Sequence, residues 1–366
     1  MKSLKFIKLY FSKLIFVILI ISLSLFFFFY SEKKNDLKFD ASNISNLLEE
    51  EVFKHAFTDN VYQGELYYES INSLYEIKDR NDSIFLNILD FDNAYKNIEI
   101  KSTEEIKIKN KNIGVIKINF DYKDKIYEAF SYGLDNKCDP KSSASLVIPG
   151  SNLNQSLSII SEDTKNYHYG IISPLKKINS KIFVLIKPNE DFLAWHNGKG
   201  KKLGGDFIYA YHINRQGSYS ASYILQSLAF TKWMKKCYGK IILAGLSQGG
   251  GATLLNAMQS KPDYAIIASG FTLYNKFIDW SGFDQILNIP NYHKYFDEKK
   301  LIDSLKKSPT KWMFSWGEDE VGLYKIEALN KFTAKKIQNL KNVKTIIHTK
   351  GHVYDHSSIE NFLLKF

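Results

Sequence analysis

The sequence predicts an α/β protein, built on a mostly parallel β-sheet with helices on both faces. Three observations carry this. Short apolar runs at 145–148, 182–186, 241–244, 265–268, 312–315 and 343–347 are nearly continuous, which is how strands buried on both faces read. Helical patterns lie between them: Ile224, Leu225, Leu228 and Ala229 recur at helical spacing after the cap candidates Ser218 and Ser220, and 252–258 forms a second helix. Ahead of the runs, 114–120 and 125–130 alternate in polarity around the polar turn 121–124, the signature of an antiparallel hairpin feeding the sheet.

In chain order, residues 1–13 carry Lys2, Lys5, Lys8 and Lys13 and no acid. Residues 14–30 follow as an unbroken apolar run whose polar members are Ser22, Ser24 and Tyr30. At 1.5 Å per residue the run spans about 26 Å, close to a hydrocarbon core once Lys13 snorkels and Tyr10 and Tyr30 sit at the interfaces. The expectation is a transmembrane signal anchor with a cytoplasmic N-terminus, because the unbalanced lysines precede the run. A cleaved signal peptide fits less well, since the run ends in Phe26 to Phe29 rather than in small residues. Residues 31–105 read as a linker and a small membrane-proximal α+β region without a chemical motif. Residues 106–366 form the main domain, with a cap region at about 271–309, where Phe271, Tyr274, Phe277, Trp280 and Phe283 crowd a connection longer than a simple crossover.

An apolar fraction of 45% in 366 residues supplies a sizeable core and excludes a disordered chain. The formal charge of +10 comes almost wholly from lysine, with Arg80 and Arg215 the only arginines. Specific phosphate and base recognition relies on arginine forks, so no nucleic-acid partner is expected. Cys138 and Cys237 are the only cysteines; they are too few for a disulfide framework, and the sequence leaves open whether they pair.

The chemical signal is Gly245-Leu-Ser-Gln-Gly249, a G-x-S-x-G motif directly after the run 241–244 and directly before a helix. In that context the serine sits on a sharp strand-to-helix turn that projects its Oγ from the sheet, and flanking glycines make room for it. On this motif, and over roughly residues 106–366, the chain resembles the α/β-hydrolase superfamily. Its elbow is similar to those of carboxylesterases, dienelactone hydrolases and carbohydrate deacetylases. The resemblance implies a nucleophile, acid, histidine order, with the acid after a strand that follows the cap and the histidine after the last strand.

Ser247 is then the nucleophile and His352, after Gly351, the base. Of the eight histidines, His356 is the rival base, while His348 falls inside the last strand, and His196 and His212 read as loop or surface residues. The acid lies in Gly317-Glu-Asp-Glu-Val. Counting three residues from the glycine, as the family does, gives Glu320; Asp319-Glu-Val instead matches the common Asp-x-Val continuation, and Asp is the more usual acid. Asp319 is the expected acid, with Glu320 as the alternative. The oxyanion hole takes the backbone N–H of Gln248, and a second from Ser151 or, next, Asn152, in the Pro149-Gly150-Ser151-Asn152 loop, where Pro149 stands in place of the family's histidine. No cofactor and no metal is expected, since no H-E-x-x-H or Cys/His cluster is present.

The functional expectation is a membrane-anchored serine hydrolase acting on a carboxylic ester on the extracytoplasmic side. An acylated glycan or lipid is a candidate ester. Two alternatives stand beside it: an acyltransferase or deacetylase acting on an envelope glycan, and a catalytically inactive binding module of the same fold. Trp195, His196 and Asn197 in the loop 187–200 are candidates for the substrate rim.

Overall fold

The computed structural model describes residues 93–107, 114–122, 125–133, 137–151, 155–187, 219–271, 298–320 and 327–365, all within the unit Ser42–Phe366. The expected span at 14–30, the region 31–92, the loop 188–200 and most of the cap, 272–297, lie outside the described residues. Among the described residues no helix is long and apolar enough to cross a membrane.

Among the described residues nine strands form one sheet in the order β1-β2-β3-β5-β4-β6-β7-β8-β9. The hairpin is β2 (Gly114–Tyr122) with β3 (Lys125–Gly133), paired antiparallel with Tyr122 opposite Lys125. Ile116, Ile118, Phe120 and Tyr122 are buried while Lys117, Asn119 and Asp121 are only partly covered, so the period of two reflects one covered face. β1 (Glu99–Lys107) pairs antiparallel with β2. Among the described residues the sheet begins at Glu99, and residues 105 and 106, on either side of the expected domain boundary, both lie in β1.

The parallel part comprises β4 (Asp139–Ile148), β5 (Lys181–Ile186), β6 (Tyr238–Leu246), β7 (Tyr264–Ala268), β8 (Lys311–Asp319) and β9 (Val343–Gly351). All five residues of β7 and the last five of β4 are buried, because helices cover both faces. Edge strand β9 is mostly half-exposed, and its sequence is accordingly mixed.

Helices α1 (Asn93–Asn97), α2 (Gln155–Ile160) and α3 (Ile172–Lys177) are short; α4 (Tyr219–Cys237) and α5 (Gln248–Ser260) are the long ones near the sheet centre. α6 (Glu298–Lys307), α7 (Glu327–Ile337) and α8 (His356–Lys365) follow among the described residues. α4 is buried nearly all round from Tyr219 to Thr231, which explains its lack of a polar stripe. Ser220, read above as a cap, lies inside its first turn. A buried polar cluster ties α4 to α5: the Asn256 side-chain amide donates to Ser227 Oγ and Thr231 Oγ1, both at 3.0 Å, and its carbonyl accepts from Ser260 Oγ at 2.8 Å. With its partners satisfied, that network fixes the helix pair in one register.

The chain runs from β4 outward to β5, then crosses back over β4 through α4 to reach β6, after which β7, β8 and β9 continue in the other direction. Connections thus diverge between β4 and β6, and in open α/β sheets the crevice at the carboxyl ends of such strands is where ligands bind.

Cys138, just ahead of β4, and Cys237, the last residue of α4, form a disulfide. It closes a loop between residues 99 apart in sequence. Constraining the unfolded chain over that length should stabilise the fold by about 2–4 kcal/mol. Replacing both cysteines by serine should lower the denaturant midpoint and raise the m-value, because the released unfolded chain exposes more surface, as measured by equilibrium unfolding.

Candidate active site

Ser247 joins β6 directly to α5 with φ 59° and ψ −129°, a conformation that costs a non-glycine residue about 1–3 kcal/mol. The neighbouring backbone holds it there. Ser247 N–H donates to the Ala268 carbonyl of β7 at 2.9 Å, and the Ser247 carbonyl accepts from Gly250 N–H at 2.9 Å and Gly251 N–H at 3.2 Å. Both motif glycines are needed for space. A Cβ at Gly245 would collide with the Gly249 carbonyl and Thr253 Oγ1, and one at Gly249 would sit on the carbonyls of Ile148 and Pro149. The elbow therefore rests directly on the chain that leaves β4.

That chain, Pro149-Gly150-Ser151, is held atom by atom. Tyr223 Oη of α4 donates to the Pro149 carbonyl at 2.5 Å, Lys187 Nζ at the end of β5 to the Gly150 carbonyl at 2.6 Å, and Tyr167 Oη to the Ser151 carbonyl at 2.8 Å. Gly150 N–H donates to His168 Nε2 at 2.7 Å. Since Nε2 accepts, the His168 proton resides on Nδ1, which donates to Asn166 Oδ1 at 2.9 Å. A Cβ at Gly150 would approach Tyr167 Oη to 2.5 Å, the Leu246 carbonyl to 2.8 Å and His168 Nε2 to 2.9 Å. Gly150 thus lies between the residue preceding Ser247 and the Tyr167 ring.

Tyr167 leads to the base. Its ring stacks on His352, with centroids 5.5 Å apart and planes at 30°, and tilts against His168 at 4.0 Å. His352 Nδ1 bonds Glu320 Oε2 at 2.6 Å. The other carboxylate oxygen accepts from Gly317 N–H at 2.9 Å and from the hydroxyl of Ser269, at the end of β7. The carboxylate that meets His352 is therefore that of Glu320, the alternative acid, and not that of the expected Asp319. β8 does not turn at Gly317. It continues through Asp319, which pairs with Gly351 after a register irregularity, leaving the Asp319 side chain exposed. Glu320 is the first residue beyond the strand and is buried. Glycines permit the approach, because a Cβ at Gly317 would meet the Lys350 and Gly351 carbonyls. The count of three from the glycine points to the residue that meets His352, whereas the Asp-x-Val likeness points to one that does not.

Of the other candidates, Gln248 heads α5 and is buried beside the elbow, and Ser151 is half-buried in the pinned loop. His348 lies within β9 and is buried, while His356 begins α8 and bonds Glu360 at 3.2 Å. Asn152, Trp195, His196, Asn197 and His212 fall outside the described residues. Sequence reasoning passed over Tyr167, His168, Lys187, Tyr223 and Ser269. Only Lys187, a cation closing the apolar run 182–186, carried a local signal. Among the described residues no three His, Cys, Asp or Glu side chains converge as a metal site requires.

Burial would raise the Glu320 carboxyl, but the bonds from His352, Ser269 and Gly317 outweigh it and hold its pKa below the ordinary value. His168 is held well below the usual imidazole range by burial first, then by the charge of Lys187 and by His352. Both depressions stabilise the fold at neutral pH and weaken it in acid. The His168 contribution is complete above the unfolded value of about 6.5 and is lost as pH falls below it; the Glu320 contribution is complete above about 4.3 and is lost below that. Urea midpoints measured from pH 8 to 3 should therefore fall in two stages, with His168→Gln flattening the upper one and Glu320→Gln the lower.

The two carboxylates also separate by function. Glu320→Gln should lose about 10³–10⁴-fold in kcat, because the imidazole then settles in the wrong tautomer, whereas Asp319→Asn should stay near the parent rate in the same ester assay.

No family model matches the chain, and no curated protein does. Solved structures with a similar course include the acetyl xylan esterase from Paenibacillus sp. R4, at 14% identity and a TM-score of 0.48 over 81% of this chain and 98% of that one. Acetyl xylan esterase 1 from Thermoanaerobacterium sp. JW/SL YS485 is 12% identical with a TM-score of 0.46, over 78% and 92%. Est1E from Butyrivibrio proteoclasticus is 14% identical with a TM-score of 0.41, over 72% and 98%. On its own sheet order, with a serine elbow after β6 and a Glu–His pair after β8 and β9, the chain has an α/β-hydrolase-like fold.

Proposed function

We propose that the protein is a serine hydrolase that cleaves a carboxylic ester through an acyl-enzyme intermediate. The observation that carries this reading is the strained Ser247 at the head of α5, with the His352–Glu320 pair at the same edge of the sheet. Strain of this kind persists where surrounding structure enforces it, and a binding module would gain nothing from it. In the first step Ser247 Oγ attacks the acyl carbonyl while His352 Nε2 takes its proton. Nδ1 is committed to Glu320, which fixes the tautomer and stabilises the imidazolium that forms. Negative charge developing on the carbonyl oxygen is met by the N–H of Gln248, at the N-terminus of α5, and by that of Ser151. The imidazolium then protonates the leaving alcohol; water, deprotonated by His352, attacks the acyl carbonyl, and the imidazolium returns that proton to Ser247 Oγ as the acyl–Oγ bond breaks and the acid leaves.

For the location, we propose a single-pass anchor at residues 14–30 with the catalytic domain on the extracytoplasmic side. The apolar run and its preceding lysines support it. So does the Cys138–Cys237 disulfide, since such bonds persist in oxidising compartments and are rare in the cytosol.

A fluorophosphonate should label the full-length protein, and Ser247→Ala should abolish both labelling and hydrolysis of a panel of acyl esters. Equal labelling of that variant would remove Ser247 as nucleophile. A reporter active only in the cytoplasm, fused after Phe366, should be silent; a strong signal would reverse the topology.

A further inference from the structure

We infer that Lys187 is a positioning residue for the oxyanion hole, acting through the single peptide unit that joins Gly150 to Ser151; this rests on the serine-hydrolase reading above. Lys187 is fully buried, and its Nζ donates to the Gly150 carbonyl at 2.6 Å. That carbonyl and the Ser151 N–H belong to one planar amide. The described residues contain no cis peptide, and in a trans unit the C=O and N–H point in opposite directions. Fixing the carbonyl on Lys187 therefore fixes the direction of the Ser151 N–H, on the side of the loop away from the lysine.

The neighbouring bonds make this orientation specific. The preceding amide, Pro149–Gly150, has both ends committed: its carbonyl takes the Tyr223 hydroxyl at 2.5 Å and its N–H goes to His168 Nε2 at 2.7 Å. Gly150 N–H is therefore committed to His168, and the proposed function gives the second donor of the hole to Ser151. The Ser151 carbonyl is held in turn by Tyr167 Oη at 2.8 Å, so the loop cannot rotate about one amide without breaking bonds at the next. The same stretch lies against the elbow, since Gly249 has no room for a Cβ beneath the Ile148 and Pro149 carbonyls.

Charge adds to direction. A hydrogen bond from an ammonium to a carbonyl is stronger than a neutral one, and it draws electron density through the amide, making the N–H at the other end a better donor. In a buried setting the effect is little screened. Taking a lysine out of water is costly, and here the group sits where it serves a loop that bears on catalysis. His168 fits the same arrangement: it is kept neutral, and only a neutral imidazole accepts the Gly150 N–H.

The test measures fluorophosphonate inactivation of the full-length protein as separate kinact and KI, which reads the oxyanion hole without the natural substrate. The variants are Lys187→Met, Lys187→Gln, Ser151→Pro and the double variant Lys187→Met/Ser151→Pro. If the parent is not labelled at Ser247, the serine-hydrolase reading fails; the role of Lys187 is judged on a parent that is labelled. Removing one oxyanion donor typically costs 10²–10³-fold. Lys187→Met should accordingly lower kinact by about 10²-fold with KI little changed. Lys187→Gln, which retains a donor without the charge, should fall between it and the parent. Ser151→Pro, which deletes the N–H itself, should lose at least as much as Lys187→Met, and the double variant no more than Ser151→Pro alone. Parent-like kinact in Lys187→Met, or losses that multiply in the double variant, would overturn the inference. Should Lys187→Met not fold, Lys187→Gln and Ser151→Pro decide it, and parent-like kinact in either overturns it.

Discussion

The site depends on a close approach of two backbones. The helix that follows Ser247 can start where it does only because Gly249 lets it lie against the Ile148 and Pro149 carbonyls at the end of the neighbouring strand. Any side chain there would push the elbow and the β4 loop apart. That contact sets Ser247 and the proposed oxyanion donors against one another. It arises because β4 and β6 are adjacent and parallel, with Ile148 opposite Gly245, so their carboxyl ends finish side by side. The left-handed backbone at Ser247 is the strain this arrangement stores, and the bond from Ser247 N–H to Ala268 ties it to a third strand.

Around this contact the backbone groups of the β4 loop are held by hydrogen-bond partners from widely separated parts of the chain. Tyr223 comes from α4, Lys187 from the end of β5, and Tyr167 and His168 from the connection between α2 and α3, all converging on three residues. Glu320 gathers His352, Ser269 and Gly317 in the same manner. Buried networks of this kind are costly when incomplete and rigid when complete, and a site that must stabilise charge without reorganising needs the rigid form. Both depressed pKa values follow from it. Glu320 stays charged because its oxygens are bonded, and His168 stays neutral because it is buried beside a cation.

The scaffold supports this precision from behind. α4 is buried on almost every side and ends in the cysteine bonded to the residue preceding β4. It supplies Tyr223 to the loop and, through Ser227 and Thr231, the acceptors for Asn256 of α5. One helix therefore fixes the base of β4, the axis of the elbow helix and one carbonyl of the oxyanion loop.

The sequence by itself determined the α/β class, the hairpin, all six parallel strands, the elbow at Ser247 and the place of His352 after the last strand, because each is written in local features. Continuous apolar runs mark doubly covered strands, alternation marks the hairpin, and glycines flank a turn that requires them. The choice between Asp319 and Glu320 was not local. It turned on how far β8 stays paired with β9, which is a property of two strands, and the extra paired residues left Asp319 exposed and turned Glu320 inward. The disulfide, the Ser269 hydroxyl and the wiring of Gly150 were likewise decided only in three dimensions. Their partners lie 16 to 99 residues apart, and a lone Lys187 or His168 has no periodicity or spacing to reveal which backbone atom it will meet.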